Sequence, residues 1–375
     1  MTWTGREMRS TIYIDGTVIL SLSQVELTEP GDDEIVVRVE ATPINPSDIG
    51  LLLGPADLSR IEVVGNDDQR LVKLCVPPNS LPSIAGRLGH PLPIGNEGAG
   101  TVVAAGKNAA ALQGKRVGMF GGGMYADYRK LGINDVIPLP PDASAADGAS
   151  MFINPLTALG FLETARREGH KAVVHTPAAS NLGRILQRLC QADGIPLVNI
   201  VRSTEQAALL RSVGATHVIN SQDEDFVAQL TDAIAVTGAT VAFDAIGGGK
   251  QGVEILQAME RAAARDPAAY SRYGSETFKQ LYIYGGLDNA PTVLDRAALG
   301  YAWSVSAWLL FNYLRNAEST LVQRLRQRVA DELTTTFASH YTRTIGLSEV
   351  LEPEVLRAID RKASGEKFLI NPRLG

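Results

Sequence analysis

The sequence predicts an α/β protein of two domains, one β-rich and one built on a doubly wound parallel sheet. Three observations carry that prediction. The 375 residues are about twice a typical domain. Up to about Pro141 the chain shows short β-rich runs parted by Pro, Gly, Asn and Asp, which is how antiparallel strands and their turns look. Between about Pro155 and Asn289, apolar strand-like runs alternate with stretches of helical period, and that alternation implies parallel strands joined by helices.

Residues 34–40 and 101–105 are the clearest strands of the β-rich part. In the second part, strands are expected at 171–176, 196–201, 217–220, 240–244 and 280–284. The apolar segment 297–314 is broken by Gly300, Ser304, Ser306 and Asn312, so it reads as a buried helix rather than a membrane span. A tail at 365–371 contains a single strand, which needs a sheet to join and is expected to return to the first domain. The domains are therefore expected at 1–154 with 313–375, and at 155–312.

The formal net charge is −6 and no run of five basic residues occurs, which leaves no electrostatic footprint for nucleic acid or an anionic membrane. The first ten residues carry Arg6, Glu7 and Arg9 and no apolar run, so a soluble, cytoplasmic protein is expected. Two cysteines, Cys75 and Cys190, cannot make a four-thiolate zinc site. His90, His170, His175, His217 and His340 are scattered, and no metal is expected.

The strongest chemical signal follows the strand at 171–176, where Ala178, Ser180 and Gly183 occupy the three small-residue positions of a dinucleotide-binding turn. Such a turn brings backbone N–H groups and the positive end of a helix close to a pyrophosphate, and small side chains serve nearly as well as glycine. At the tip of the next strand, Arg202 and Ser203 stand where an NAD site places a carboxylate, with no acid before Glu205. An arginine there suits a 2′-phosphate.

Together with those residues, the segments 43–48 (PINPSD), 95–98 (GNEG), 154–158 (NPLTA), 211–220, 243–247 (FDAIG), 284–286 (YGG) and Lys367 fall in the order of the medium-chain dehydrogenases/reductases. The chain most resembles their zinc-independent quinone oxidoreductase and 2-enoyl thioester reductase branch. That resemblance implies a GroES-like β-rich catalytic domain and a Rossmann domain, NADPH as cofactor, a quinone, enone or enoyl thioester as substrate, and a homodimer paired at the sheet edge around 280–284 and the apolar stretch beyond.

Zinc-dependent relatives place Cys within the stretch matching 43–48 and a His-Glu pair where this chain has Asn96 and Glu97, so Glu97 reads as a hydrogen-bonded structural carboxylate. Carried over residue by residue, the resemblance puts Asn154 near the nicotinamide, Ala179, Ser180, Asn181 and Leu182 at the pyrophosphate, and Arg202 and Ser203 at the 2′-phosphate. It adds Tyr284, Gly285 and Gly286, then Trp303, Val305 and Lys367, to the cofactor contacts, with Asn45 and Asp48 on the substrate-side loop. The branch's enoyl reductases carry a proton-donating Tyr where this chain has Ala56, and Tyr125 is a substitute candidate. A long insert, 57–92, follows, and either rebuilds the substrate mouth or forms a remote surface hairpin. A reductase with a relocated donor and a catalytically silent sensor or interaction protein are the alternative functions.

Overall fold

The computed structural model describes residues 2–66, 69–265, 271–363 and 365–374. The chain divides into two compact units, residues 1–153 with 326–375 and residues 154–325.

The first unit opens with strands β1 (Trp3–Ile12), β2 (Thr17–Leu27) and β3 (Glu34–Pro43), followed by helix α1 (Pro46–Leu53). Strands β4 (Asp57–Val64), β5 (Leu71–Cys75), β6 (Leu92–Pro93), β7 (Glu97–Ala105), β8 (Arg116–Phe120), β9 (Tyr128–Gly132) and β10 (Val136–Pro138) come next, then the short α2 (Ala145–Gly148). One sheet has the order β4-β5-β2-β1-β6; a second runs β10-β8-β7-β3, with β9 also on β3. Pairing among β1 to β10 is antiparallel, as short connections require. Two apolar clusters hold the unit together, one around Met8, Ile12, Leu20, Leu52, Val72 and Leu74, the other around Ile35, Val37, Val39, Val117 and Met119.

The insert at 57–92 contributes the β4–β5 hairpin and a 3-10 stretch, Pro78–Arg87. Its residues 67 and 68 lie outside the described residues. The β5 side enters the core through Val72 and Leu74, while β4 is a solvent-facing edge with Val63 and Val64 exposed.

The second unit contains α3 (Ile153–Arg167), β11 (Val173–Thr176), α4 (Asn181–Asp193), β12 (Leu197–Val201), α5 (Thr204–Ser212), β13 (His217–Asn220), α6 (Phe226–Thr237), β14 (Val241–Asp244) and α7 (Gln251–Ala263). It ends with β15 (Lys279–Ile283), β16 (Trp303–Ala307), α8 (Leu310–Asn316) and the start of α9 (Ser319–Asp331). The six strands are parallel in the order β13-β12-β11-β14-β15-β16. This is the doubly wound Rossmann order, whose winding reverses between β11 and β14.

Three expectations are corrected here. Residues 297–314 are not one helix: Trp303-Ser-Val-Ser-Ala307 alternates with period two and pairs with β15 before α8 begins. Residues 280–284 are consequently interior, and β16 is the edge strand. The chain rejoins the first unit at Arg326, within α9, rather than at 313. The intervening α8 is held in the second unit by Tyr313 stacked on Trp308 at 5.5 Å, and Arg324 by Glu163 at 3.6 Å.

The C-terminal part adds β17 (Arg343–Ile345), α10 (Pro353–Asp360) and β18 (Phe368–Ile370). Strand β18 pairs antiparallel with β3, Leu369 opposite Pro43 and Ile370 opposite Thr42, so the tail completes the second sheet of the first unit. Among the described residues no helix is long and apolar enough to cross a membrane.

Candidate functional site

In the first unit, Asn45-Pro46-Ser47-Asp48 opens α1: Asn45 takes the cap position, Pro46 the first helical position, and the Asp48 carboxylate accepts the Asn45 N–H at 2.8 Å. This short-range motif turns two polar side chains inward. Asp48 also accepts from the Asn96 N–H at 2.9 Å and the Asn96 side-chain amide at 2.6 Å. Asn45 donates its side-chain amide to Glu97 at 2.8 Å and accepts from Lys367 Nζ at 3.4 Å. The second Glu97 oxygen accepts the N–H groups of Phe152 and Ile153 at 2.9 and 2.8 Å. Tyr125 donates its hydroxyl to the Pro43 carbonyl at 3.2 Å, and its ring lies so close to Gly95 that a Cβ there would sit 2.4 Å from it. Gly95 is held at φ +97°, a conformation that glycine alone adopts readily.

The side chains of Asn45, Asp48, Glu97, Tyr125 and Lys367 are buried, and that of Asn96 is half-buried. Burial pushes the Asp48 carboxyl up to about 7, with the nearby Glu97 adding to the shift. It raises Glu97 as well, against the pull of Lys367 and three donated hydrogen bonds. Tyr125 is driven well above the ordinary phenol range by burial and then by Asp48. The sequence-predicted Asn45, Asp48, Tyr125 and Lys367 are thus brought together, around a carboxylate that sequence reading treats as structural. The Tyr125 hydroxyl has no exposure through which to give a proton to a substrate. Ala56 is half-buried against the unit's core.

In the second unit, β11 leads through Ala178 and Ala179 to Ser180, which caps α4 by accepting the Gly183 N–H at 3.0 Å. A Cβ on Gly183 would stand 2.1 Å from the Ala178 carbonyl oxygen, so only glycine lets the helix start this close to the turn. At the tip of β12, Arg202 is exposed, and its guanidinium has no hydrogen bond or ion pair among the described residues. Ser203 caps α5, its hydroxyl accepting the Gln206 N–H at 3.3 Å. Glu205 lies in the first turn of α5, where Ser203 holds its carboxyl below the usual range, so it belongs to the helix cap rather than the strand tip.

Beyond β15, Tyr284 donates its N–H to the Asp244 carbonyl at 2.9 Å and places exposed Gly285 and Gly286 at the carboxyl edge of the sheet. The Asp244 side chain accepts the N–H groups of Ile246 and Gly247 at 2.7 and 3.3 Å and is raised to about 6 by burial. Strand register aligns Thr176, Asp244 and Ile283, so the 178–182 turn, Arg202, Ser203 and Tyr284–Gly286 share one edge. Asn154 lies in the first turn of α3.

Trp303 and Val305 are not brought to that edge. Trp303 pairs with Lys279 at the amino end of β16, four residues or ~13 Å from the carboxyl end, and both side chains pack on the unit's apolar core. A cavity of about 660 Å³ lies among Glu163, Arg167, Tyr282, Trp308, Tyr313 and Arg324, and holds none of the predicted site residues.

Comparison with known proteins agrees with this architecture. Residues 31–141 match the alcohol dehydrogenase GroES-like domain. The chain is 28% identical over 218 residues to the mitochondrial enoyl-acyl-carrier-protein reductase of Xenopus tropicalis, covering 54% of this chain and 53% of that protein. It spans about half the length of the first curated relatives it matches. Among solved structures, a putative NADPH:quinone reductase from Mesorhizobium loti superposes with a TM-score of 0.73 at 24% identity, over 98% of both chains. The Etr1p complex with NADP and crotonyl-CoA superposes with a TM-score of 0.67 at 17% identity, over 98% of this chain and 100% of that one. Matched domain, sequence relatives and full-length fold point the same way: the chain carries an alcohol dehydrogenase GroES-like domain and shares the two-domain fold of the reductases it superposes on.

Proposed function

We propose that the protein is an NADPH-dependent oxidoreductase that delivers hydride to a quinone or another activated double bond without zinc. The second unit serves as the nucleotide-binding domain and the first as the catalytic domain. The observation that carries this reading is the unengaged Arg202 guanidinium beside Ser203, where an NAD site needs a carboxylate, next to a turn that fits a pyrophosphate. Bound NADPH supplies the hydride. The chain's part is to hold it: backbone N–H groups at Ala179–Leu182 face the pyrophosphate, and Arg202 makes charge-assisted bonds to the 2′-phosphate.

In the first unit, the segment 43–48 has no Cys and Asn96 stands where zinc-dependent relatives carry His, and amide side chains such as those of Asn45 and Asn96 suit hydrogen bonding rather than zinc. Ala56 favours a quinone acceptor over an enoyl thioester. A reduced quinone takes its protons on oxygen from water, whereas reduction of an enoyl thioester ends with protonation at carbon, which gains from a placed donor. The enoyl thioester reading keeps support from the enoyl reductase relatives. A silent sensor is the third reading.

Following NADPH absorbance at 340 nm with 9,10-phenanthrenequinone, a short 2-enoyl thioester and an enone separates the three. Turnover of the quinone fastest is expected; turnover of the thioester alone moves the assignment to the enoyl reductases, and silence with all three removes it. The working state is taken to be a cytoplasmic homodimer joined along β16, the edge strand, near exposed Tyr301, Leu309 and Phe311. Light scattering near the 40.1 kDa monomer mass would refute the dimer, and organelle fractionation tests the compartment.

A further inference from the structure

We propose that His175 is a positioning residue for the nicotinamide half of the cofactor, acting through Tyr284 on the free N–H groups of Gly285 and Gly286. The proposal rests on the NADPH reading above.

His175 Nε2 lies 2.8 Å from the Tyr284 hydroxyl oxygen, a bond across 109 residues of chain. The pair sits against Phe161, whose ring stacks on Phe243 at 3.9 Å, meets Tyr284 edge-on at 4.8 Å and stands 6.3 Å from the imidazole. These contacts leave the imidazole and phenol little room to turn. His175 is fully buried, and burial lowers its pKa to about 3, so the imidazole is neutral at any working pH.

A proton count then singles the pair out. A neutral imidazole and a phenol carry two polar hydrogens, and the bond between them uses one. His175 Nδ1 has no partner among the described residues and is buried. A buried N–H without an acceptor is rarer than a bare lone pair, which puts the imidazole hydrogen on Nε2, donated to Tyr284. The phenol hydrogen is left over on a residue that is only half-buried. A structural pair in a closed core has no use for a surplus donor; a pair beside a ligand has.

The segment beyond Tyr284 is fastened at both ends, by the Tyr284 N–H on the Asp244 carbonyl at 2.9 Å and the Leu287 N–H on the Ala245 carbonyl at 3.0 Å. Between them the N–H groups of Gly285 and Gly286 have no acceptor among the described residues, and both glycines are exposed. Glycines have no side chains to pack, so between these two fastenings their position follows from Tyr284, whose ring His175 helps to hold. The three spare donors lie on the same sheet edge as the Ser180 turn, where the oxygens of a nicotinamide carboxamide and its ribose can accept them.

The test is titration calorimetry with NADPH and with 2′,5′-ADP, which lacks the nicotinamide half, on the full chain and on His175→Phe, Tyr284→Phe, the double variant and His175→Gln, with thermal unfolding alongside. His175→Phe and Tyr284→Phe should each weaken NADPH roughly tenfold, about one hydrogen bond, while 2′,5′-ADP stays within about twofold. The double variant should be no worse than either single one, and His175→Gln, which keeps a donor, should recover most of the loss. If His175→Phe does not fold, Tyr284→Phe, which removes one oxygen, decides the matter. Equal weakening of both ligands, or unchanged NADPH affinity in both variants, overturns the positioning role. Failure of the unmodified protein to bind NADPH overturns the cofactor reading and this inference with it.

Discussion

The two units treat their polar groups in opposite ways. In the first, Asn45, Asp48, Glu97, Tyr125 and Lys367 are buried and direct their hydrogen bonds at one another and at nearby backbone. In the second, the Arg202 guanidinium and the Gly285 and Gly286 N–H groups are exposed and unengaged among the described residues. A closed polar cluster is a fixture, and breaking it costs stability. An open donor set is what a binding surface needs, and altering it should cost affinity rather than stability.

Replacement at Glu97 should give the largest effect. Glu97→Ala strips three hydrogen bonds and removes the buried carboxylate beside Lys367. A loss of about 3–5 kcal/mol in urea unfolding is expected, because three buried donors lose their acceptor at about 1–3 kcal/mol each. A loss below about 1 kcal/mol would mean that the cluster is as open as the second unit's edge.

The next effect is a pH dependence. Asp48 titrates near 3.8 when unfolded and about 7 when folded, so between those values the native protein holds a proton that the unfolded chain has released. Stability contributed by this group is therefore complete at the acid end of the window and falls as pH rises toward 7, by roughly 1 kcal/mol per pH unit. Glu97, also raised, acts in the same direction. Asp48→Asn should flatten the slope measured by denaturation between pH 4 and 7; an unchanged slope would place the titrating group elsewhere.

Gly183→Ala probes the point where the second unit is as tight as the first. The new methyl would meet the Ala178 carbonyl oxygen at 2.1 Å and force the turn apart, at a cost of about 1–3 kcal/mol in calorimetric unfolding. NADPH affinity should fall with it, because the displaced backbone is the proposed pyrophosphate cradle.

Arg202→Glu should be the mildest change to the fold and the sharpest to selectivity. An exposed strand-tip residue is expected to alter stability by no more than about 0.5 kcal/mol. A preference of roughly ten- to a hundredfold for NADPH over NADH should vanish or reverse. Equal affinity of the unmodified protein for both cofactors would dissolve the contrast between the units.

The sequence by itself determined whatever is written in local pattern. The parallel strands from β11 to β15 follow from apolar runs between helical stretches, the start of α4 from Ser180 with Gly183 three residues on, and the α1 cap from Asn45-Pro-Ser-Asp48. The tail strand was legible because a lone strand needs a sheet. Strand β16 was hidden, since its five alternating residues lie inside a longer apolar run whose composition suits a helix equally well. Only the tertiary structure decided that Glu97 is the hub for Asn45, Phe152 and Ile153, that Lys367 reaches Asn45 from 322 residues away, and that Trp303 lies at the amino end of its strand. It also joined His175 to Tyr284. The physical reason is range: periodicity and capping act over a few residues, whereas these contacts depend on which strands become neighbours and in what register, and that is settled when the whole core packs.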